Sequence, residues 1–370
     1  MASSLTPSST DTVVMTGIDH VEFYVGNAKQ AAYFYQKAFG FDTVAYAGPE
    51  TGQRDRASYV LQQGKIRFVL TTALTPEHPV SEHVKAHGDG VKDVAIIVNN
   101  ACLAYNQAIS RGATGIMEPT ERSDANGRVV LASVATYGDT IHTFVERADY
   151  AGVFLPGYAP RKGLGCAPVG LEYIDHVVGN VGWNEMNTWV EFYQRVFDFH
   201  HFANFDDKDI STEYSALRSV VVANDNERVK FPLNEPAEGK KKSQIEEYID
   251  SYGKPGVQHL ALITKDILTT VAALKANGVE FLSTPASYYQ DLLERTGPIN
   301  ESLADLQALD ILVDKDDKGY MLQIFTKPLE DRPTVFFEII QRMGSESFGK
   351  GNFKALFESI EREQALRGNL

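Results

Sequence analysis

The chain has only two cysteines among its 370 residues, Cys102 and Cys166, too few and too far apart for a disulfide framework or a thiolate zinc site. That scarcity fits a reducing compartment, so a cytoplasmic location is expected. No apolar run approaches the roughly 20 residues that a membrane span requires. The opening MASSLTPSSTDTVV has no basic segment followed by an apolar one, which excludes a secretory signal and reads residues 1–14 as a flexible leader. Positive charge is also in deficit: 35 Lys and Arg against 49 Asp and Glu leave a net charge of −14. Nucleic acid and anionic membrane surfaces are therefore excluded as partners, and an anionic substrate needs something local and positive to hold it.

What the chain does contain is repetition. IDHVEFYVGNAKQAAYFYQKAFGF (18–41) is echoed by IDHVVGNVGWNEMNTWVEFYQRVFDF (174–199). Likewise GVKDVAIIV from Gly90 answers GVQHLALIT from Gly256, and the match continues without a gap to Pro119 and Pro285. The chain is two copies of a two-part unit, and such repeats fix architecture before any local argument begins. Hydrophobic content of 43% supports real cores.

Each module reads as an alternating strand, an amphipathic helix and further short strands. In the first, strand 18–25 is followed by a helix stopped at Gly40 and by strands 57–62 and 66–71. In the second, strand 91–98 leads to helix 101–111 and strands 129–135 and 140–147. The fold class is therefore α+β: tandem βαβββ modules forming two open, barrel-like domains. The expected division is a two-module domain over 15–150, a Gly- and Pro-rich linker over 151–170, and a second two-module domain over 171–370. The second half carries segments without an evident counterpart in the first. They are a helix at 241–253, an insertion at 287–310 and a C-terminal lid helix over 352–367, whose Phe353, Leu356, Phe357 and Ile360 form one apolar face. Additions to one copy point to where the chemistry lies.

His176 and His259 hold equivalent early positions on the opening strands of modules three and four. Glu338 sits in TVFFEII, an apolar strand where a lone carboxylate needs a cation. Two imidazoles and one carboxylate form the ligand set of a non-haem Fe(II) site with open positions. The competing reading of each histidine is a hydrogen-bonded core residue. His20 matches His176, but Asp93 stands where His259 stands; His142 and Glu146 complete a second site only on paper. His78, His83 and His87 lie in a polar stretch and read as solvated, while His200 and His201 adjoin a strand end.

The strings FPLNEP (231–236), KSQIEEY (242–248), GVQHLAL (256–262), ILVDKDDKGYMLQIFTKPLEDRPTVFFEIIQR (311–342) and FGKGNF (348–353) resemble the 4-hydroxyphenylpyruvate dioxygenase family of the vicinal oxygen chelate superfamily. The resemblance covers essentially the whole chain. It implies one Fe(II) per chain on His176, His259 and Glu338, and a first half without catalytic metal. Substrate contacts are implied for Ser219, Asn234, Gln244, Gln258, Gln323, Phe325, Phe336, Phe348, Asn352 and Phe353. The implied reaction takes a 2-oxo acid, 4-hydroxyphenylpyruvate, and O₂ to homogentisate and CO₂ in tyrosine and phenylalanine catabolism. A homo-oligomer, dimer or tetramer, is implied as well. Two rival readings share the fold: 4-hydroxymandelate synthase, which hydroxylates the benzylic carbon, and a non-catalytic binding protein. The intact ligand set weighs against the second.

Overall fold

A computed structural model describes residues 12–206, 212, 214 and 216–369; most of the expected leader lies outside them. The described residues form two curled sheets of nine and eight strands. In the first the order is Gly115–Asp124, Gly127–Ala135, Ile141–Glu146, Gly90–Val98, Met15–Tyr24, Ile66–Ala73, Arg56–Gln63, Asp42–Ala47 and the short Ala159–Pro160. In the second it is Leu312–Lys315, Tyr320–Phe325, Phe336–Met343, Gly256–Thr264, Leu171–Asn180, Lys230–Ala237, Ala216–Ala223 and His200–Phe205. Apart from Ala159–Pro160, the two orders correspond strand for strand. At each centre the opening strands of paired modules run antiparallel, and each is flanked by a parallel neighbour.

Local sequence explains the helix ends. Asn27 caps helix Ala28–Phe39 by accepting from the Gln30 N–H, and Gly40 closes it at φ 69°, a left-handed conformation that glycine adopts without strain. Helix Met186–Phe197 is its counterpart and stops on Asp198, also left-handed. Among the described residues no helix is long and apolar enough to cross a membrane.

The structure corrects two expectations. The segment with His78, His83 and His87 is not a solvated loop but helix Pro79–His87, started by Pro79 and capped by the His78 ring. His83 and His87 are only 8% and 2% exposed. This helix sits between the same two strands of its half as helix Gln244–Tyr252 does in the other, so the helix expected at 241–253 has a counterpart after all. Part of the stretch expected as a linker, 151–170, is packed. Phe154, 1% exposed, and Leu155 fill a small core inside the first sheet with Val60, Val69 and Val145, and Ala159–Pro160 pairs with Asp42–Ala47.

The halves share one core. Phe337 packs on Tyr35, Phe39 and Phe68 of the first half, with ring centroids 5.1–6.0 Å apart. Reciprocally, His142 packs on Tyr193, Phe197 and Phe231, at 4.9–5.8 Å.

Candidate metal centre and pocket

Three neighbouring strands of the second sheet bring His176, His259 and Glu338 to one face. His259 pairs with Val178, two residues beyond His176, and lies beside Phe336, two residues before Glu338. Side chains two apart on a strand point the same way, so the three converge. His176 Nε2 lies 3.2 Å and His259 Nε2 3.5 Å from Glu338 Oε2, all three side chains being buried. Among the described residues this is the one group of three or more His, Cys, Asp or Glu whose ligand atoms come close enough to share an ion.

The rings are fixed from behind. His176 Nδ1 donates to Asp175 Oδ2 at 2.8 Å, and Asp175 in turn receives Arg342 through Nε (3.0 Å) and Nη2 (2.8 Å), with Lys230 Nζ at 3.5 Å. His259 Nδ1 donates to Gln258 Oε1 at 2.9 Å. With both Nδ1 atoms engaged, each Nε2 is left to face Glu338. Burial pulls His176 down, but the carboxylates of Asp175 and Glu338 outweigh it and raise its pKa. His259 has one carboxylate and an amide for neighbours, so burial wins and its pKa falls. Burial pushes Glu338 up, yet the two imidazoles hold it at about 2.

This donor set fits a divalent ion. Ligand atoms sharing one ion at about 2.1 Å stand about 3 Å apart on adjacent octahedral corners, close to the separations seen. A buried carboxylate wedged between two imidazoles also needs the cation that an ion supplies.

The cavity above the three residues is lined by Ser219, Asn234, Gln244, Gln258, Phe325, Phe336, Phe348 and Phe353, all expected from the sequence. Phe336 stacks on the His259 ring at 4.8 Å, and Phe348 lies 4.9 Å from His176. Gln323 and Asn352 are not in the lining. Gln323 is buried beneath Gly349, and Asn352 Oδ1 accepts from Tyr288 Oη at 2.6 Å, which ties the start of the terminal helix to the 287–310 insertion. Sequence reasoning missed Val178, Phe205, Leu217, Val221 and Pro232 in the wall. Leu217 and Val221 flank Ser219 at the strand period of two, a signal that was there to use. Helix Phe353–Leu366 covers the opening with Phe353, Leu356, Phe357 and Ile360, and beyond its last turn Arg367 grips Glu247 at 2.7 and 3.0 Å.

The first half arranges the same positions differently. Asp93 lies beside Ile141 as His259 lies beside Phe336, so the place of Glu338 belongs to Thr143, not to Glu146. Thr143 donates its N–H (3.0 Å) and its hydroxyl to Asp93. His142 points away, bonded to Val94 O and Tyr193 Oη, and Glu146 accepts from Ala101 N and pairs with Arg128. The second site on paper does not assemble. Its supports nevertheless persist: Asp19 holds His20, Arg147 holds Asp19, and Phe154 covers His20 as Phe348 covers His176. His200 and His201 are exposed, at the start of strand His200–Phe205.

Comparisons with known proteins find relatives for both halves. Residues 10–154 match the family described as Hydroxyphenylpyruvate dioxygenase, HPPD, N-terminal, and 173–324 match the Glyoxalase/Bleomycin resistance protein/Dioxygenase superfamily. A 4-hydroxyphenylpyruvate dioxygenase of Yarrowia lipolytica is 52% identical, the alignment covering 96% of this chain and 93% of that one. One from Danio rerio is also 52% identical, over 95% and 91%. Among solved structures, a mutant of 4-hydroxymandelate synthase from Streptomyces coelicolor superposes with a TM-score of 0.84 at 32% identity, covering 95% of this chain and 99% of that one.

Proposed function

The chain belongs to the 4-hydroxyphenylpyruvate dioxygenase family, and on that premise we propose that His176, His259 and Glu338 hold one Fe(II) per chain at the floor of the pocket. The protein is a dioxygenase of the vicinal oxygen chelate fold, converting 4-hydroxyphenylpyruvate and O₂ to homogentisate and CO₂. The observation that carries the metal assignment is the convergence of three buried donors on one point at the base of an aromatic and amide-lined cavity.

Fe(II), when held by these residues, would supply the redox chemistry for the reaction of a 2-oxo acid with O₂. The remaining work belongs to the chain. Asp175 and Gln258 keep the two imidazoles in the tautomer that offers Nε2 inward. Phe336 and Phe348, packed on those imidazoles, restrict their rotation and exclude water from one side. The polar groups of Ser219, Asn234 and Gln244, with the Gln258 amide, receive the distal phenol, while Phe325 and Phe353 wall the ring. Helix Phe353–Leu366 acts as the lid, hinged at Gly349, whose φ of 79° favours glycine. Assembly as a homo-oligomer belongs to the same reading.

The rival product is 4-hydroxymandelate. Its synthase shares the fold at 32% identity, against 52% for the dioxygenases. Product analysis after incubation with 4-hydroxyphenylpyruvate, Fe(II) and O₂ separates them. Homogentisate is expected, and 4-hydroxymandelate overturns the reading.

A further inference from the structure

Helix Gln244–Tyr252 joins the pocket to the first half of the chain. Its first residue, Gln244, lines the cavity, and its last, Tyr252, is buried against helix Pro79–His87. The two helices are counterparts in the duplicated plan. His87 and Tyr252 each end their helix, and His83 and Tyr248 each stand four residues earlier. These four rings meet where the halves join. His87 stacks on Tyr252 at 4.4 Å and 16°, Tyr248 stacks on the other side at 5.2 Å and 20°, and His83 lies edge-on to His87 at 4.7 Å.

His87 is held at both nitrogens. Its Nδ1 donates to the Tyr252 carbonyl at 2.6 Å, and Nε2 lies 2.8 Å from Asp139 Oδ2, which also receives Lys254 Nζ at 3.1 Å. Arg332 adds a strut, donating to Ala86 O at 2.8 Å and reaching Ser251 O at 3.5 Å. At its other end the helix is set by a capping box between Ser243 and Glu246 and by Arg367 on Glu247. A helix of this length, 9 residues, spans about 13 Å, so a small tilt at Tyr252 displaces Gln244.

We infer that His87 is a positioning residue for substrate. By stacking on Tyr252 and bonding its carbonyl, it fixes the angle at which the helix presents Gln244 to the cavity. The first half, which has lost the ligand set, thereby keeps a share in substrate handling. The inference rests on the reading of Gln244 as a pocket group. A merely structural His87 would affect stability and leave substrate handling alone.

The test is steady-state kinetics of the full-length iron-loaded enzyme, with 4-hydroxyphenylpyruvate and with phenylpyruvate. Wild type, His87→Ala, Gln244→Ala and the double variant are compared, with Tm and iron stoichiometry measured on each. His87→Ala is expected to raise KM for 4-hydroxyphenylpyruvate about fivefold with kcat within about twofold, to weaken discrimination against phenylpyruvate, and to leave iron at one per chain. The double variant is expected to be no worse than Gln244→Ala alone, because both act through one group. Should His87→Ala fold poorly, Asp139→Asn loosens the same ring from its outer side and is expected to give a smaller rise in KM. A lowered Tm with wild-type KM and discrimination, or fully multiplicative effects in the double variant, overturns the inference. Wild-type KM in Gln244→Ala itself overturns the pocket reading, and this inference with it.

Discussion

Asp93 and His259 occupy the same register position in their respective sheets, Asp93 beside Ile141 and His259 beside Phe336. One half keeps an imidazole there and the other a buried carboxylate. Its hydrogen bonds among the described residues come from Thr143, and the ionisable groups near it include His20, Glu22, Lys92 and Tyr24. Burial dominates and pushes its pKa up to about 7, against the pull of His20 and Thr143.

A folded value above the ordinary 3.8 means that folding favours the protonated acid. The stability it contributes is full below about pH 4 and is lost as pH rises through 7, on the order of a few kcal/mol. Asp93→Asn keeps an acceptor and a donor for Thr143 and removes the charge. Denaturant unfolding from pH 4 to 8 should show wild type losing stability relative to Asp93→Asn across that window. Parallel curves would contradict the assignment.

His142 has the opposite sign. Burial holds its pKa down at about 4, with Val94 O and Tyr193 Oη as its partners. Its stability contribution is therefore present above about pH 6.5 and is lost as pH falls toward 4, on the order of 3 kcal/mol. His142→Phe imitates Phe337 at the matching place. It should flatten the acid limb of the stability curve, at a cost of about 1–3 kcal/mol at pH 7 for the hydrogen bonds that Tyr193 and Val94 lose. An unchanged acid limb would place the sensitivity elsewhere.

Asn234→Ala and Gln244→Ala should weaken handling of the phenol while sparing iron. The expected loss is about 1–3 kcal/mol, roughly five- to a hundredfold in kcat/KM for 4-hydroxyphenylpyruvate, with a smaller effect on phenylpyruvate. Equal treatment of the two substrates by wild type would show that the phenol is not read.

Truncation before Gly349 removes Phe353, Leu356, Phe357 and Ile360 from the cavity roof. The shortened protein should still bind iron but consume O₂ or 2-oxo acid without a matching yield of homogentisate, since water now reaches the site. Fully coupled turnover would leave the helix a packing element only.

The convergence of His176, His259 and Glu338 was legible because the duplication itself reveals register: once IDHV is seen twice, His176 and His259 fall on equivalent strands, and Glu338 stands out in an apolar run. Spacing along a strand does not say which residue stands where Glu338 does; only the pairing of Asp93 with Ile141 puts Thr143 there and not Glu146. Helix Pro79–His87 escaped notice because two of its three buried side chains are histidines, His83 and His87, which breaks the apolar stripe. Strand Gly115–Asp124 is exposed on both faces for most of its length, which leaves no alternation to read. The plug formed by Phe154 and Leu155 sits in a Gly- and Pro-rich stretch whose composition resembles a free linker.

The central claim is one Fe(II) per chain on three named residues. Anaerobic Fe(II) titration of metal-free protein tests it most directly, run on wild type, His176→Ala, His259→Ala, Glu338→Ala and His20→Ala. The account predicts one equivalent for wild type and His20→Ala, and loss of tight binding together with turnover in the other three. Two equivalents in wild type, or an iron-free His20→Ala protein that folds normally, would contradict it.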